Sequence, residues 1–245
     1  MIATDLRTAL DPAVTFSRAF GIDPLDWQVG YLRETRPAVL LKGRQIGAST
    51  AAAALALHVA VYWSDVNAVI VSPSLKQSTE ICTRARAGLR NLGVRLVQDS
   101  ASTLRLPNGS RVVSLPGTAR SVRGWTARLL VIDEAAFVLH ETFVAARALV
   151  ATGGRLVVQS TPADEAGDFH ELVTAEDDPD WARFVVRSDE VPTISADFLA
   201  TELRALGPDA YASEYECQFG KVGASLFTAE RIASLILPEK PEETA

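Results

Sequence analysis

Residues 42–50, Lys-Gly-Arg-Gln-Ile-Gly-Ala-Ser-Thr, have the composition of a loop that binds phosphate. In the usual loop, G-x-x-x-x-G-K-[ST], backbone N–H groups surround the phosphates, the lysine contacts the β- and γ-phosphates, and the hydroxyl is a ligand of Mg²⁺. Alignment on Gly47 and Ser49 places Ala48 at the lysine position and Lys42 at the position of the first glycine. The sequence therefore predicts a phosphate-binding loop whose cation stands at its start.

Two carboxylates follow a second apolar segment further along the chain. Residues 129–134, Leu-Leu-Val-Ile-Asp-Glu, are typical of a buried parallel strand that carries acids to its carboxyl edge. In nucleotide hydrolysis Asp133 would hold Mg²⁺ directly or through water, and Glu134 would orient and deprotonate the attacking water. The structural alternative is that Asp133 caps a helix beginning near Ala135, with Glu134 as a favourable charge in its first turn.

Apolar segments stand where the loop needs supporting elements. Residues 38–41 predict a strand before the loop, and residues 48–63 predict a small, mostly apolar helix after it. In this order the helix N-terminus points its unpaired N–H groups and its positive dipole end at an anion. Taken alone, the loop also fits an ordinary strand-to-helix turn whose glycines serve only backbone geometry.

The rest of the chain alternates between predicted strands and helices. We expect strands at 67–71, 103–106, 111–115, 155–159 and 183–187, and helices at about 75–92 and 196–218, the latter interrupted near Gly207-Pro208. Pro-Asn-Gly-Ser at 107–110 predicts a hairpin. Repeated strand-then-helix segments predict an α/β fold with a largely parallel sheet and helices on both faces.

Several motifs follow one another in a fixed order. They are Gly-Arg-Gln-Ile-Gly-Ala-Ser at 43–49, Arg-Gly at 123–124, Leu-Leu-Val-Ile-Asp-Glu-Ala-Ala-Phe at 129–137, Gln-Ser-Thr-Pro at 159–162 and Tyr-Glu-Cys-Gln-Phe at 215–219. Together they resemble the ATPase domain of the large terminase subunit of tailed bacteriophages, over about residues 20–228.

The resemblance implies an additional-strand, conserved-glutamate P-loop NTPase of the RecA-like type, with a mainly parallel central sheet flanked by helices. It implies a motor that couples hydrolysis of ATP with Mg²⁺ to translocation of double-stranded DNA into a procapsid. The implied partners are double-stranded DNA, the portal protein, the terminase small subunit and further copies of the chain in a ring, with no membrane. The implied location is the cytoplasm of the infected bacterial host.

The resemblance also assigns site residues by their positions in the motifs. Glu134 is the implied base, Ser49 and Asp133 are implied ligands of Mg²⁺, and Arg44 would contact the γ-phosphate or sense its loss. Lys42 departs from the commonest family pattern, although some terminases have a similarly displaced lysine. The residues implied to bind the nucleotide are Gln28, Lys42, Gly43, Arg44, Gln45, Ile46, Gly47, Ala48, Ser49 and Thr50.

Gln28 lies in Leu-Asp-Trp-Gln, which resembles the glutamine motif placed beside adenine in such ATPases. An amide can offer a base edge both a donor and an acceptor. The alternative is an amphipathic helix with Trp27, Tyr31 and Leu32 turned inward.

Arg123 stands shortly before the acidic strand, and the resemblance implies that it enters the active site of a neighbouring subunit. A planar guanidinium suits charge spread over phosphoryl oxygens. Arg120 and Arg128 are rivals for this role, and an ordinary surface arginine beside a flexible glycine is the structural alternative.

Ser160, Thr161 and Pro162 resemble the coupling motif that links hydrolysis to domain movement in this family. Their structural alternative is a turn that ends a strand, with Thr161 restricted by the proline that follows.

Length and composition predict one principal domain, because 245 residues with 48% hydrophobic content can form one substantial core. We expect the ATPase domain at 1–228 and a charged tail or linker at 229–245, without the nuclease domain that follows the ATPase in the resembling family. An excised domain and a stand-alone ATPase both fit. No apolar run of 18 residues exists, and the amino terminus lacks a basic region followed by an apolar block, so we expect neither a membrane span nor a secretory signal. The isolated Cys82 and Cys217 predict reduced thiols in a cytosolic protein.

Charge is distributed unevenly around a net charge of −6. Residues 76–128 contain one Lys and nine Arg against two acids, a net charge of +8. This basic segment is a candidate surface for DNA or a subunit, with Arg84, Arg86 and Arg90 on one predicted helix. A solvated helix face is the equally favoured alternative.

Other functions remain open at this point. The acids of residues 163–180 suggest a metal nuclease, although a polar loop and helix face explain them better. A P-loop helicase or remodelling ATPase is one alternative function. A nucleotide-binding module that lost hydrolysis with Ala48 is another, and the intact Glu134 argues against it.

Overall fold

The computed structural model describes residues 2–175 and 178–220. Its centre is a sheet of eight strands in the order β3-β4-β5-β2-β6-β7-β1-β8. The strands are β1 (Ala38–Lys42), β2 (Asn67–Ser72), β3 (Gln98–Asp99), β4 (Thr103–Arg105), β5 (Arg111–Pro116), β6 (Ala127–Asp133), β7 (Val150–Ser160) and β8 (Ala182–Val186). Six strands are parallel, and β3 and β4 are antiparallel additions at one edge.

Helices cover both faces of the sheet. They are α1 (Ile2–Leu10), α2 (Pro12–Phe20), α3 (Asp26–Arg33), α4 (Ala48–Tyr62), α5 (Leu75–Asn91), α6 (Ala119–Val122), α7 (His140–Arg147), α8 (Asp168–Thr174), α9 (Ala196–Leu206) and α10 (Pro208–Glu216). Within the described ranges, every helix is too short or too polar to cross a membrane.

The order of the strands identifies the type of α/β fold. Strand β7 pairs with β1 on one side and with β6 on the other. The strand that enters the loop is therefore separated by one added strand from the strand that carries the acids. This arrangement confirms the predicted additional-strand P-loop fold with a mainly parallel sheet.

Most predicted elements are confirmed, including the hairpin of β4 and β5 and the break between α9 and α10 at Gly207, whose φ is 78°. The sequence did not predict α1, α2, α6, α7 or the two-residue β3. The expected domain boundary at 228 and the expected tail at 229–245 lie outside the described residues.

Along the central strands, successive side chains point alternately into two hydrophobic cores, one on each face of the sheet. Leu40, Ile70 and Val131 belong to the core beneath α2, α4 and α5. Val39 and Leu130 belong to the core on the opposite face, together with side chains of α7 and α8. Because both faces are covered, the parallel strands are almost continuously apolar.

Helix α4 lies directly behind the loop and is rich in alanine. Its small side chains allow close approach of α5, where a Cβ at Gly88 would lie 2.7 Å from Cδ2 of Leu57. Close packing on both sides fixes the axis of α4. The N-terminus of this helix is therefore held at the carboxyl end of β1.

His58 is buried where α4 packs on α2, and its Nδ1 lies 2.7 Å from the Thr15 hydroxyl. Desolvation lowers the pKa of this imidazole to about 4, against a weaker raising effect of Asp11. The unfolded chain, with a His pKa of 6.5, takes up the proton first as pH falls. The stability associated with neutral His58 is therefore present above pH 6.5 and is lost as pH falls toward 4.

We expect His58→Gln to flatten the fall in unfolding free energy between pH 6.5 and 4, because it removes the buried titrating group. Across this pH window the unfolding free energy of the parent should fall by about 3 kcal/mol more than that of the variant. Urea titrations at several pH values measure the difference. His140→Gln, at a side chain that is 77% exposed, is the matched control. Equal pH dependence of His58→Gln and the parent would contradict the assignment.

Candidate functional site

Three predicted motifs meet at one edge of the sheet. Lys42 ends β1, Asp133 ends β6 and Ser160 ends β7. In the strand register Ser160 stands beside Leu41, and Asp133 stands beside Gln159. The carboxyl edge of the parallel sheet therefore collects the lysine, the acids and the polar segment after β7, as expected for a ligand site in this fold class.

The loop between β1 and α4 is held by backbone contacts and by left-handed residues. The Gly43 N–H donates to Val186 O at 2.8 Å, and a Cβ at Gly43 would lie 2.7 Å from Tyr215 O. Gln45 has φ 62° and Gly47 has φ 89°. A side chain at Gly43 would displace the loop, so glycine is required there by close approach.

A cavity of about 320 Å³ opens over this loop. Because α4 begins at its wall, unpaired backbone N–H groups of the first helical turn are directed toward it. The residues that line it are Lys42, Gly43, Gln45, Ile46, Gly47, Ala48, Ser49, Thr50 and Arg84. All are residues of the predicted loop except Arg84, and among the loop residues 42–50 only Arg44 does not line the cavity.

The displaced lysine forms an ion pair with the predicted base. Lys42 Nζ donates to Glu134 Oε1 at 2.7 Å, and the Ser160 hydroxyl donates to Glu134 Oε2 at 3.3 Å. Glu134 also adopts a left-handed backbone conformation with φ 52°, which costs a non-glycine residue about 1–2 kcal/mol. The carboxylate is thus fixed by two neighbouring strands at the edge of the cavity.

Asp133 is 5% exposed and accepts a hydrogen bond from Gln159 Nε2 at 2.7 Å. Burial raises the pKa of Asp133 to about 6, while the positive charge of Lys42 opposes this rise. The turn after Asp133 is a short 3₁₀ segment, residues 135–137, with no side-chain cap bond from its N-cap Glu134. The helix-capping alternative for these two acids is therefore not observed.

The oxygen donors at this edge fit a magnesium ion. Ser49 lines the cavity, and Asp133 is the last residue of the acidic strand β6. Hydroxyl and carboxylate oxygens suit Mg²⁺, which also keeps waters and nucleotide phosphates as ligands. Within residues 2–175 and 178–220, no group of three or more His, Cys, Asp and Glu side chains is placed to hold a metal.

Arg44 projects toward α10. Its guanidinium donates to both carboxylate oxygens of Glu214, at 2.7 and 3.1 Å, and its backbone N–H donates to Glu214 O at 2.8 Å. The hydrogen bond with Glu214 raises the pKa of Arg44. The Ser188 hydroxyl donates to Arg44 O at 2.8 Å. Neither Glu214 nor Ser188 was identified from the sequence, although Glu214 immediately precedes the Tyr-Glu-Cys-Gln-Phe motif.

Gln28 contacts the loop. Its Oε1 accepts from the Leu25 N–H at 2.9 Å, and its Nε2 donates to Gly47 O at 3.3 Å. The residue is 4% exposed. The alternative of an amphipathic helix also holds, since Tyr31 and Leu32 are buried and Trp27 is half-buried. The contact of Gln28 with a base stays a prediction.

Arg123 ends the short helix α6 and is exposed, with no hydrogen bond or ion pair to another described residue. Arg120 is likewise exposed. Arg128 lies near the amino end of β6, where its guanidinium is 5.6 Å from the Trp63 ring. Arg128 therefore lies at the opposite end of the strand from Asp133, and its role as a rival to Arg123 stays a prediction.

The three arginines of helix α5 make contacts within the protein, and their contact with DNA stays a prediction. Arg86 pairs with Asp99 at 2.5 Å, and Arg90 approaches the same carboxylate at 3.5 Å. Arg84 instead reaches the loop, with Nη1 3.4 Å from the Thr50 hydroxyl. Its place in the cavity was missed, because the sequence does not show which face of α5 packs on α4.

The segment after β7 contacts both the acids and α10. Besides the bond from Ser160 to Glu134, the Ser213 hydroxyl donates to Pro162 O at 3.3 Å, and Thr161 is 5% exposed. The three predicted coupling residues therefore lie between the carboxylate cluster and the C-terminal helices.

Comparisons with known proteins agree with this geometry. The family model described as "Terminase large subunit, T4likevirus-type, N-terminal" matches residues 39–234. The large terminase ATPase domain of Thermus phage P74-26 superposes with a TM-score of 0.72 at 20% identity, covering 86% of this chain and 100% of that chain.

Two longer terminases are also similar. The large terminase of a thermophilic bacteriophage, in complex with ADP, has a TM-score of 0.66 at 14% identity, covering 88% of this chain and 53% of that one. The HK97 bacteriophage large terminase has a TM-score of 0.63 at 17% identity, covering 81% and 48%. The family match, on a fold that these structures share, shows that the chain belongs to the N-terminal, ATPase part of the terminase large subunit family, the motor ATPases of viral DNA packaging.

Proposed function

We propose that this chain binds ATP with Mg²⁺ in the cavity over residues 42–50 and hydrolyses it to translocate double-stranded DNA into a procapsid. The observation that carries the proposal is the meeting of Lys42, Glu134 and Ser160 beside this cavity. The similar large terminase of a thermophilic bacteriophage, described in complex with ADP and with ATP-gamma-S, supports nucleotide binding by this fold.

Phosphate binding would use backbone N–H groups and the two cations that line the cavity, Lys42 and Arg84. The N-terminus of α4 adjoins the cavity and would offer its unpaired N–H groups to the phosphates, whereas the Gly43 and Arg44 N–H groups are bonded to Val186 O and Glu214 O. The Lys42 ammonium has three donors, so it can keep its bond to Glu134 and also reach a terminal phosphate. Ala48 therefore does not leave the site without a cation, which argues against a module that only binds nucleotide.

Glu134 is the proposed base for the attacking water. Its carboxylate is held by Lys42 and Ser160 and stays partly exposed at the cavity edge, so a water can approach it. With Ser49 and Asp133 as protein ligands, Mg²⁺ would neutralise charge on the β- and γ-phosphate oxygens. The bonds from Lys42 and Ser160 give Glu134 the fixed position that proton abstraction requires.

Coupling to movement is proposed at two contacts with α10. Arg44 bonds Glu214, and Pro162 accepts from Ser213. Arg44 also belongs to loop residues 42–50, the segment that would surround the phosphates. A change in its partner would therefore alter the contact between the loop and α10.

Wider assignments rest on family membership and remain proposals. We propose the portal protein, the terminase small subunit and a ring of identical copies as partners, in the cytoplasm of the infected host. The ATPase domain is proposed at 1–228, followed by a linker at 229–245. The guanidinium of Arg123, which has no partner among the described residues, suits a contact in the neighbouring copy's site.

Glu134→Gln tests the proposed function. It keeps the shape of the side chain but removes the base, so ATP turnover should fall by at least about 100-fold. ADP affinity should change by less than about threefold, because the loop is intact. Phosphate release and calorimetric titration measure the two effects. Glu141→Gln, at an exposed glutamate of α7, is the control, and turnover near the parent rate in Glu134→Gln would disprove the role.

Arg84→Ala tests the second cation of the cavity. Its guanidinium lies beside Thr50, away from Glu134, so it should contact a phosphate that ATP and ADP share. We expect affinity for both nucleotides to fall about fivefold, and to fall further in Lys42→Ala. Arg90→Ala on the same helix is the matched control, because Arg90 does not line the cavity. Unchanged affinity in Arg84→Ala would show that this arginine does not bind the nucleotide.

A mixture of the Arg123→Ala and Glu134→Gln variants tests whether Arg123 acts in the active site of a neighbouring subunit. Each variant alone should be nearly inactive, whereas a mixed ring contains sites with an intact base and an intact neighbouring arginine. Random mixing in equal amounts should restore about a quarter of the sites. Steady-state hydrolysis at a protein concentration that supports association measures the recovery. The same mixture with Arg120→Ala is the control, and absence of recovery with Arg123→Ala would refute action in trans.

A further inference from the structure

A buried chain of hydrogen bonds connects helix α3 to the acidic strand. The Tyr31 hydroxyl donates to Gln159 Oε1 at 2.9 Å, and Gln159 Nε2 donates to Asp133 Oδ1 at 2.7 Å. Tyr31 and Gln159 are each 0% exposed, and Asp133 is 5% exposed. Water does not reach Tyr31 or Gln159, so these two side chains depend on each other and on Asp133 for their hydrogen bonds.

The order of donors and acceptors determines the direction of the amide. A tyrosine hydroxyl bonded to Oε1 leaves the NH₂ group of Gln159 facing the carboxylate. A reversed amide would place its oxygen against Asp133 and lose this bond. The Asp133 carboxylate only accepts, so it requires the NH₂ group of Gln159 to face it, and the Tyr31 hydroxyl holds this orientation by donating to Oε1.

Strand β7 also holds the backbone around Tyr31. Arg155 donates from Nη2 to Tyr31 O at 2.7 Å and from Nη1 to Leu32 O at 3.2 Å, at the C-terminal end of α3. Its guanidinium lies 5.7 Å from the centre of the Tyr31 ring. Arg155 and Gln159 share one face of β7, because side chains alternate along a strand. Tyr31 is thus held at its backbone and at its hydroxyl by the same strand.

The same helix contacts the phosphate loop. Gln28, one turn before Tyr31, donates to Gly47 O at 3.3 Å. Residues three apart on a helix face the same side. Helix α3 therefore connects the loop that would hold the phosphates with the carboxylate that would hold the metal.

We propose that Tyr31 and Gln159 are positioning residues that orient Asp133 for Mg²⁺ bound with a nucleotide. This inference rests on the proposed function. A carboxylate with one oxygen hydrogen-bonded to an amide cannot rotate freely. Residues that hold a metal ligand in this way, without contacting the metal themselves, strengthen metal binding. A phenylalanine at position 31 would fill the core equally well, so the hydroxyl contributes through its bond to Gln159.

Tyr31→Phe tests the inference by calorimetric titration of ADP with Mg²⁺ and with EDTA. Affinity for metal-free ADP should stay within about twofold of the parent, because the loop is intact. The gain in affinity that Mg²⁺ provides should shrink by about tenfold. Tyr215→Phe is the matched control, since it also removes one tyrosine hydroxyl bond, at 2.8 Å to Glu202, away from Asp133. It should retain the gain of the parent.

Gln159→Met and the double variant with Tyr31→Phe show whether Tyr31 acts through Gln159. We expect the Gln159→Met variant to lose the gain in ADP affinity that Mg²⁺ provides. The double variant should lose no more, because both changes break the same chain of hydrogen bonds. An unchanged gain in Tyr31→Phe would overturn the inference, and so would an equal loss with and without Mg²⁺. Additive losses in the double variant would also overturn it. A parent chain that binds no ADP would overturn the proposed function itself, and the inference with it.

Discussion

Three charged side chains share the buried carboxyl edge of the sheet, and their desolvation constrains the structure around them. Lys42 and Asp133 are almost fully buried, and Glu134 is only partly exposed. Leaving any one of them without partners would cost several kcal/mol. Each therefore has a defined partner: Lys42 pairs with Glu134, and amide and hydroxyl groups of β7 bond the two acids. The added strand β7 lies between β1 and β6 and supplies these groups from the middle of the cluster.

The displaced lysine reaches the cavity from the end of a strand, whereas the start of the helix carries a small residue. Ala48 begins α4 and is 5% exposed, in the core formed by the closely packed helices α4 and α5. Lys42 is the last residue of β1 and shares a strand face with Leu40, which packs toward the same helices. Its ammonium reaches the cavity from the strand side. The loop thus keeps a cation while the helix start keeps a small residue.

The sequence predicted the elements whose signals are local. The acidic strand, the loop flanked by a strand and a helix, the hairpin at residues 107–110 and the break at Gly207 depend on neighbours in the chain, and all are observed. Contacts between distant elements could not be predicted in this way. Asp99 lies in a two-residue strand that the sequence did not indicate, so the pairing that neutralises Arg86 was missed. Tyr31 meets Gln159 only because α3 packs against the sheet. The sequence thus predicted the positions of single residues with strong local signals, but it did not predict which residues they contact.

The position of Arg44 relates the site to the C-terminal helices. Its guanidinium makes two hydrogen bonds with Glu214, and a planar guanidinium cannot keep this bidentate geometry while it binds a phosphate in the same way. Under the proposed function, phosphate and Glu214 compete for one arginine. Because Glu214 belongs to α10, which packs with α9 around a small core of its own, movement of this side chain acts on a separate packed unit. The Lys42–Glu134 pair has no such competition, since an ammonium can serve two partners at once. Under the proposed function the two cations at the loop therefore differ: Lys42 can keep its bond to Glu134 when phosphate binds, whereas Arg44 must give up its bidentate bond to Glu214 to contact a phosphate in the same way.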